Sequence, residues 1–214
     1  MDAWLTRVRL NIRSPEARRD LGNVDLLHKR MMLLVPDELG VKARAESGLL
    51  FRVDQDEYAP SIVVQTLTKP LIERLPDNYG HIEVKDLSPM FDKLSQGRAV
   101  HYRITASASK RKPLDPPPPP GSKKRGPVVP LQGAAADDWW RRQAEERAGL
   151  HLRTLTSSAA GTATGNGIRH AFTRFDGTAL VDDPEALIEA VTGGIGRGKP
   201  YGGGLLSLAP AASR

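Results

Sequence analysis

Hydrophobic and polar positions alternate along residues 4–12, where Trp4, Val8, Leu10 and Ile12 fall on one face and polar side chains fall on the other. An alternation with a period of two predicts a β-strand that is buried on one side. The chain therefore opens with a strand, and later elements of the chain must cover its apolar face.

A period of three to four residues replaces this alternation after the first strand. The sequence predicts a short basic turn or helix over residues 16–20. A longer helix is predicted over residues 24–34, where Leu27, Met31 and Leu34 form one apolar stripe. Such a stripe can cover the apolar face of the strand.

Two β-rich runs at residues 49–53 and 61–66 are separated by an acidic turn, which predicts an antiparallel hairpin. Residues 70–75 form a short helix candidate, and residues 80–84 a possible edge strand. The order β-α-β-β-α-β is that of the ferredoxin-like unit, with two helices on one face of a four-stranded antiparallel sheet.

The same order recurs in the second half of the chain. We therefore predict an α+β fold of two tandem ferredoxin-like domains with antiparallel sheets, spanning residues 1–92 and 97–214. The predicted elements of the second domain are strands at 98–107, 150–155, 169–175 and 205–209, and helices at 137–148 and 183–191.

A proline-rich insertion at about residues 113–133 interrupts the second domain after its first strand. It holds five consecutive prolines and a short basic run. Proline-rich sequence favours extended polyproline II and does not build a packed core, so we predict a solvated loop. A recognition peptide for another domain is the alternative.

Composition narrows the functional classes. The chain has no cysteine, which excludes disulfides, thiolate zinc sites and a cysteine nucleophile. No apolar run approaches the length of a membrane span, so we expect a cytoplasmic protein. A net charge of +6 and a pI near 9.7 favour a polyanionic partner such as nucleic acid, although an incidental basic charge fits equally well.

The most unusual stretch is a glycine-rich loop at residues 193–204, in which seven of twelve residues are glycine. A strand comes after it, so neither a P-loop nor a dinucleotide-binding loop is present, because both lead into a helix. Bare backbone together with Arg197 and Lys199 suits the binding of a polyanion. A flexible turn is the alternative, but twelve residues exceed what such a connection needs.

This loop and the motifs around it carry a family resemblance. The motifs are WLTRVRLN, ARRDLGN, Leu27-His28, RAESGLLFRVD, VVQTL, ITASASKR, FDG before VDDPEAL, and LLSLAP after the loop. Over nearly the whole chain they resemble the CasE-type repeat endoribonucleases of type I-E (Cascade) CRISPR systems, within the repeat-associated RNA-binding superfamily.

The resemblance implies two ferredoxin-like domains and cleavage of precursor CRISPR RNA at the base of each repeat hairpin. It also implies 5′-OH and 2′,3′-cyclic or 3′-phosphate ends, and retention of the product guide RNA beside other Cascade subunits. No membrane and no small-molecule cofactor is implied, and cleavage is expected to proceed without metal. No histidine or carboxylate cluster in the sequence indicates a metal site.

The resemblance places the catalytic histidine at His28. Metal-free RNA cleavage needs a base, an acid and positive charge near the phosphate, and histidine titrates near neutral pH. Asp25 lies three residues earlier on the same helical face, where relatives often have tyrosine. It either accepts the ring N–H of His28 and orients it, or is only a surface carboxylate. Leu33 stands where some relatives have lysine, so Lys29, Arg30 or Lys199 is expected to stabilise the developing charge.

A basic surface is expected to hold the RNA stem through its phosphates and shape. The predicted RNA-binding residues are Lys29, Arg30, Arg103, Lys110, Arg111, Lys112, Arg169, Arg197 and Lys199, with Gly196 and Gly198 of the glycine-rich loop.

Two further segments leave alternatives open. The small-residue loop at 156–167 either enters the groove of the stem or is a disordered hairpin tip. Trp139 and Trp140 either stack on bases or, as we favour, lie partly in the core and partly on the surface. A non-catalytic RNA-binding subunit of the same superfamily is the first rival function. A structural or small-ligand protein with an incidental basic charge is the second.

Overall fold

The computed structural model describes residues 2–40, 42–55, 59–117, 121–122, 124–165 and 168–211. The first half of the chain forms a four-stranded antiparallel sheet in the order β2-β3-β1-β4. This is the predicted ferredoxin-like order, with the fourth strand at an edge. The elements are β1 (Trp4–Leu10), α1 (Pro15–Leu21), α2 (Val24–Met32), α3 (Ala43–Glu46), β2 (Leu50–Asp54), β3 (Ser61–Thr66) and β4 (Gly80–Asp86).

Side-chain caps fix where α1 and α2 begin. The Ser14 hydroxyl accepts the N–H of Ala17, and the Asn23 carboxamide accepts the N–H groups of Asp25 and Leu26. Both helices lie on the face of the sheet where Val8 and Leu10 point, and Leu27 and Met31 are buried there.

The second helix of this first unit is reduced to one 3-10 turn, Ile72–Arg74. The sequence predicts a short helix at 70–75. Pro70 and Pro76 stand at the two ends of this segment. A residue that precedes proline disfavours the helical conformation, so the segment is too short for a longer α-helix.

The second half repeats the topology. Its sheet has the order β11-β5-β10-β8, with β9 pairing further along β10. The elements are α4 (Ser88–Phe91), β5 (Ala99–Ala106), β6 (Ser109–Arg111), β7 (Val128–Pro130), α5 (Ala134–Ala148), β8 (Leu150–Leu152), β9 (Thr156–Gly165), β10 (Ile168–Val181), α6 (Pro184–Gly193) and β11 (Leu206–Pro210).

Strand β9 occupies most of the segment predicted as a loop or disordered tip at 156–167. It pairs antiparallel with β10 from Thr156 opposite Asp176 to Gly165 opposite Ile168. Its residues are small and mostly exposed, so the sequence carries no apolar alternation; main-chain pairing with β10 holds the strand. Residues 166–167 lie outside the described residues.

The proline-rich insertion is anchored by a strand pair, which the prediction of a solvated loop missed. Strands β6 and β7 pair antiparallel, and the N–H of Lys112 donates to the carbonyl of Pro127 at 2.9 Å. We call residues 109–130 the basic arm. A Cβ at Gly126 would lie 1.8 Å from the Lys112 carbonyl oxygen, so the close pairing requires glycine there. Residues 118–120 and 123 lie outside the described part.

Both tandem tryptophans belong to the second core. Trp139 is 8% and Trp140 0% exposed, and the Trp140 ring stacks on Phe175 with centroids 5.8 Å apart. The interpretation that they are partly surface residues is therefore wrong, and neither ring is free to stack on a base.

The open face of the first sheet packs against the end of α6 and the residue before β11 of the second unit, along a narrow seam. Leu50, Val63 and Leu205 form a small buried cluster there, and the Gln65 side chain donates to the carbonyl of Val191 at 2.8 Å. This seam ties the end of the second unit to β2. No helix among the described residues is both long and apolar enough to cross a membrane.

Candidate active site at the glycine-rich loop

His28 lies in the middle of α2 and faces strand β2. Its ring stacks on Phe51 with centroids 6.4 Å apart and an interplanar angle of 26°. The Nδ1 atom is buried and has no hydrogen-bond partner among the described residues. The nitrogen that remains for a substrate is therefore Nε2.

The surroundings of His28 keep its ring neutral. Burial lowers the pKa of His28, the positive charge of Arg44 lowers it further, and the carboxylate of Asp25 raises it by less. At pH 7 the imidazole is unprotonated, which is the form that can accept a proton.

One of the two interpretations of Asp25 required it to accept the ring N–H of His28. Asp25 does not accept that N–H. Its side chain is exposed in the first turn of α2, and Nδ1 of His28 has no partner in the described ranges. A carboxylate in that position interacts favourably with the positive end of the helix. The structure thus favours the interpretation of Asp25 as a surface carboxylate.

Arg30 belongs to the fold of the first unit, contrary to its predicted place at the phosphate. Its Nε donates to Oδ2 of the buried Asp20 at 2.7 Å, and its guanidinium lies over the ring of Tyr79. The Tyr79 hydroxyl donates to the same carboxylate oxygen at 3.1 Å. Lys29, the next residue back, is exposed.

The glycine-rich loop returns the chain from α6 to the neighbourhood of α2 and β2. Its 3-10 turn, Lys199–Tyr201, packs against both of these elements. The Lys199 ammonium donates to the carbonyl of Gly193 at 2.6 Å. Burial lowers the pKa of Lys199, and the charges of Arg44 and Arg147 lower it further.

Close packing explains the glycines better than free backbone amides do. A Cβ at Gly203 would lie 2.6 Å from the Phe172 ring, and one at Gly194 would lie 2.8 Å from the Leu50 side chain. Several loop amides are already used, including those of Gly203 and Gly204, which donate to Gly198 and Thr105. Gly196 and Gly198 both have positive φ, which side-chain-bearing residues rarely adopt.

An open cleft of about 730 Å³ lies between these elements. The N-terminal end of α2 forms one wall, β2 and the 3-10 turn form the floor, and β9 with Phe172 forms the other wall. Asp25, Phe51 and Tyr201 line it, so the cleft runs directly over the residue on which His28 stacks. The 3-10 turn that holds Lys199 packs against α2 and β2, the elements that hold His28 and Phe51. A neutral imidazole can accept a proton from a hydroxyl, and a cation can bind a phosphodiester.

The remaining predicted cations lie elsewhere on the second unit. Arg103 pairs with Asp176 on the open face of the second sheet, beside Ser207. Arg169 and Arg197 are exposed or partly exposed and flank the buried His170 near the base of the basic arm. Lys110, Arg111 and Lys112 lie on the arm itself. Of the predicted cations in the second unit, only Lys199 lies in the 3-10 turn that packs against α2, the helix of His28.

Sequence reasoning missed Arg44, Phe51 and Tyr201. Arg44 lies in the four-residue helix α3, within what the sequence presents as a polar loop, and no periodic signal marks so short an element. For Phe51 the sequence indicates only a strand position. Tyr201 is visible in the glycine-rich loop, but its place beside α2 depends on a contact between residues far apart in the chain.

No group of three or more histidine, aspartate or glutamate side chains in the described ranges is arranged to hold a metal ion. The groups that the site offers to a substrate are the imidazole of His28 and the cations near it.

Comparison with known proteins places these features in a family context. A family model described as CRISPR associated protein matches residues 3–210. The chain is 28% identical over 216 residues to the CRISPR-associated endoribonuclease Cse3 of Thermus thermophilus, covering 97% of this chain and 100% of that protein.

Solved structures agree over the same length. The structure of Thermus thermophilus Cse3 bound to an RNA representing a pre-cleavage complex has a TM-score of 0.79 at 28% identity, covering 98% of this chain and 100% of that one. A chain of a CRISPR RNA-guided surveillance complex in a pre-nicking state has a TM-score of 0.71 at 34% identity, covering 97% and 100%.

Proposed function

Because the match over residues 3–210 shows that this chain belongs to the family of CRISPR-associated proteins, we propose that it is an endoribonuclease that processes CRISPR RNA. Its similarity to Cse3 extends over both units, including the glycine-rich loop and α2. The observation that carries the proposal is the packing of the cationic 3-10 turn of that loop against α2 and β2, the elements that hold neutral His28 and the Phe51 ring on which it stacks.

The proposed substrate is the hairpin of the CRISPR repeat, cut at the base of its stem. The basic arm and the nearby Arg169 and Arg197 offer exposed cations on the second unit, which can bind the phosphates of a double-stranded stem. The product guide RNA stays bound in an assembly with other Cascade subunits. The likeness to a chain of a surveillance complex supports this part of the proposal.

The proposed reaction is transfer of the phosphate to the neighbouring 2′-oxygen. His28 Nε2 takes the proton of the 2′-OH, the 2′-oxygen forms a bond to phosphorus, and the bond from phosphorus to the 5′-oxygen breaks. The 5′-oxygen receives a proton and leaves as 5′-OH, while the other fragment ends in a 2′,3′-cyclic phosphate that opens to a 3′-phosphate. Lys199 is the cation of the glycine-rich loop that opposes the charge on the phosphate.

A second candidate is a non-catalytic RNA-binding subunit of the same superfamily. A histidine that acts as a general base is usually oriented by a hydrogen bond to its other nitrogen. No described residue forms such a bond with Nδ1 of His28, and this observation favours the non-catalytic candidate. This candidate binds the repeat hairpin and cuts nothing.

Analysis of the product ends from the cognate repeat hairpin separates these functions. We expect one cut, with 5′-OH and cyclic or 3′-phosphate ends, at equal rates with and without EDTA. A single 2′-deoxy substitution at the scissile nucleotide should abolish it. Binding without cleavage would support the second candidate, and loss of cleavage in EDTA would contradict the metal-independent mechanism.

A further inference from the structure

Arg44 is a partly buried cation whose charge acts on His28 and Lys199, and it has no carboxylate partner among the described residues. Its Nη1 donates to the carbonyl of Leu49 at 3.3 Å, and no ion pair joins it to any acidic side chain in the described part of the chain. The remaining guanidinium N–H groups are therefore available. Arginine presents them as a rigid planar fork that matches two oxygens of a phosphate.

The position of Arg44 is set by the same segment that positions His28. Helix α3 leads through Leu49 into β2, where Phe51 supports the His28 ring. The glycine-rich loop closes on this strand from the other side: a Cβ at Gly202 would lie 3.5 Å from the Phe51 ring. Arg44, His28 and Lys199 thus converge on β2 from three separate elements.

Two neighbouring cations without a counter-ion in the described ranges indicate an anion site. The charge of Arg44 acts on both His28 and Lys199, and burial lowers the pKa of Arg44 and of Lys199 alike. Placing like charges together in a partly desolvated site costs stability unless an anion joins them. A phosphodiester bound between them removes that cost.

We propose that Arg44 is a catalytic residue, which binds the non-bridging oxygens of the scissile phosphate beside His28. This inference rests on the proposed function. As the 2′-oxygen attacks, negative charge builds on those two oxygens, and the free N–H groups of the guanidinium stabilise it. His28 takes the 2′-OH proton, the 5′-oxygen takes a proton from solvent, and Arg44 itself exchanges none.

The alternative is that Arg44 only fixes α3 to the start of β2 through the Leu49 carbonyl. Arg44→Gln separates the two roles, because the glutamine amide can still donate to that carbonyl but carries no charge. Arg44→Lys keeps the positive charge and loses the planar guanidinium that can bind two phosphate oxygens at once. Arg9→Ala is the matched control, since Arg9 is an exposed arginine paired with Glu83 on the open face of the first sheet.

The test is single-turnover cleavage of the cognate repeat hairpin at saturating protein, with affinity measured on the hairpin that is 2′-deoxy at the scissile nucleotide. We expect Arg44→Gln to slow cleavage about 10²- to 10³-fold, as loss of one charge-stabilising donor does elsewhere, with affinity changed less than about tenfold. Arg44→Lys should cleave at least about tenfold faster than Arg44→Gln, and Arg9→Ala should cleave at the wild-type rate.

The pH profile tests whether the charge of Arg44 acts on His28. The charged groups acting on His28 are Arg44 from α3 and Asp25 from its own helix, and β2 presents the uncharged Phe51. Removing Arg44 leaves Asp25 unopposed, so the acidic limb of the rate profile should shift to higher pH in Arg44→Gln.

Cleavage by Arg44→Gln at the wild-type rate would overturn the inference while the proposed nuclease function stood. Equal losses of rate and affinity, or an Arg44→Lys variant no faster than Arg44→Gln, would also overturn it. If the wild-type protein bound the hairpin but did not cut it, the proposed function would fail together with this inference.

Discussion

The ring of His28 stacks on the ring of Phe51, with centroids 6.4 Å apart, and this contact joins α2 to β2 directly beneath the glycine-rich loop. Phe51 is fully buried and is therefore fixed in place, so it supports one face of the imidazole. Phe51 also borders the cleft. The orientation of the imidazole therefore depends on an aromatic surface, since no described residue bonds to its Nδ1.

Phe51→Leu should slow cleavage at least about tenfold with little change in RNA affinity, because leucine fills the core but offers no flat surface to the imidazole. The cost in stability should be about 1–2 kcal/mol, because leucine is smaller than phenylalanine and leaves part of the buried volume unfilled. Urea denaturation and single-turnover cleavage measure the two effects. Phe91→Leu, in the second core, is the control: it should cost similar stability and leave cleavage unchanged.

Acidification should destabilise the protein through two histidines. Burial lowers the pKa of His28 and of His170, and nearby arginines lower both further. In the unfolded chain each titrates near its ordinary value of about 6.5. The unfolded state therefore binds more protons below that pH, and stability falls until the pH drops below the folded pKa values.

Replacing either histidine by glutamine should make stability less dependent on pH below about 6.5. His101→Gln, at an exposed histidine, is the control for the substitution itself. Urea midpoints at several pH values between about 5 and 7.5 provide the measurement. A His28→Gln protein with the wild-type pH dependence would show that this pKa is not lowered by folding.

Gly203→Ala should disturb the glycine-rich loop, because the added methyl group would lie 2.6 Å from the Phe172 ring and 3.0 Å from the Arg197 carbonyl oxygen. Overpacking of this kind costs about 1–3 kcal/mol, and we expect cleavage to fall with it. Gly193→Ala is the matched control, since a Cβ there meets nothing within 4 Å. Equal activity of the two variants would contradict the assigned role of close packing.

Substituting Lys110, Arg111 and Lys112 by alanine tests whether the basic arm contacts RNA phosphates. Each lost phosphate contact reduces the dependence of affinity on salt by about one unit of the logarithmic slope. We therefore expect the slope to fall by about two to three units for the repeat hairpin. An unchanged slope would show that the basic arm does not contact RNA phosphates.

Periodic segments made most of the fold predictable. The succession of predicted elements indicated the ferredoxin-like sheet, and the apolar stripe of α2 indicated the face on which this helix packs. Strand β9 escaped prediction because its small, exposed residues have no burial signal, and its partner β10 alone defines it. The division into domains at residues 92–97 stays a prediction.

The site was only partly predictable for a related reason. His28 and the glycine-rich loop stand out in the sequence, but they lie near opposite ends of the chain, and only the packing of the loop on β2 brings them together. Arg44 opens the RAESGLLFRVD motif, but nothing in the sequence sets it apart there from any solvated charge. The Asp25–His28 hydrogen bond, one of the two interpretations that the helical spacing left open, is not formed, because spacing does not fix where a side chain turns.

The central claim is that His28 performs proton transfer in RNA cleavage, and His28→Ala tests it most directly. Single-turnover cleavage of the cognate repeat hairpin should fall at least about 10²-fold, the smallest loss expected when a general base is removed. Affinity for the 2′-deoxy hairpin should stay within about threefold of the wild type. Cleavage by His28→Ala at the wild-type rate would contradict the claim.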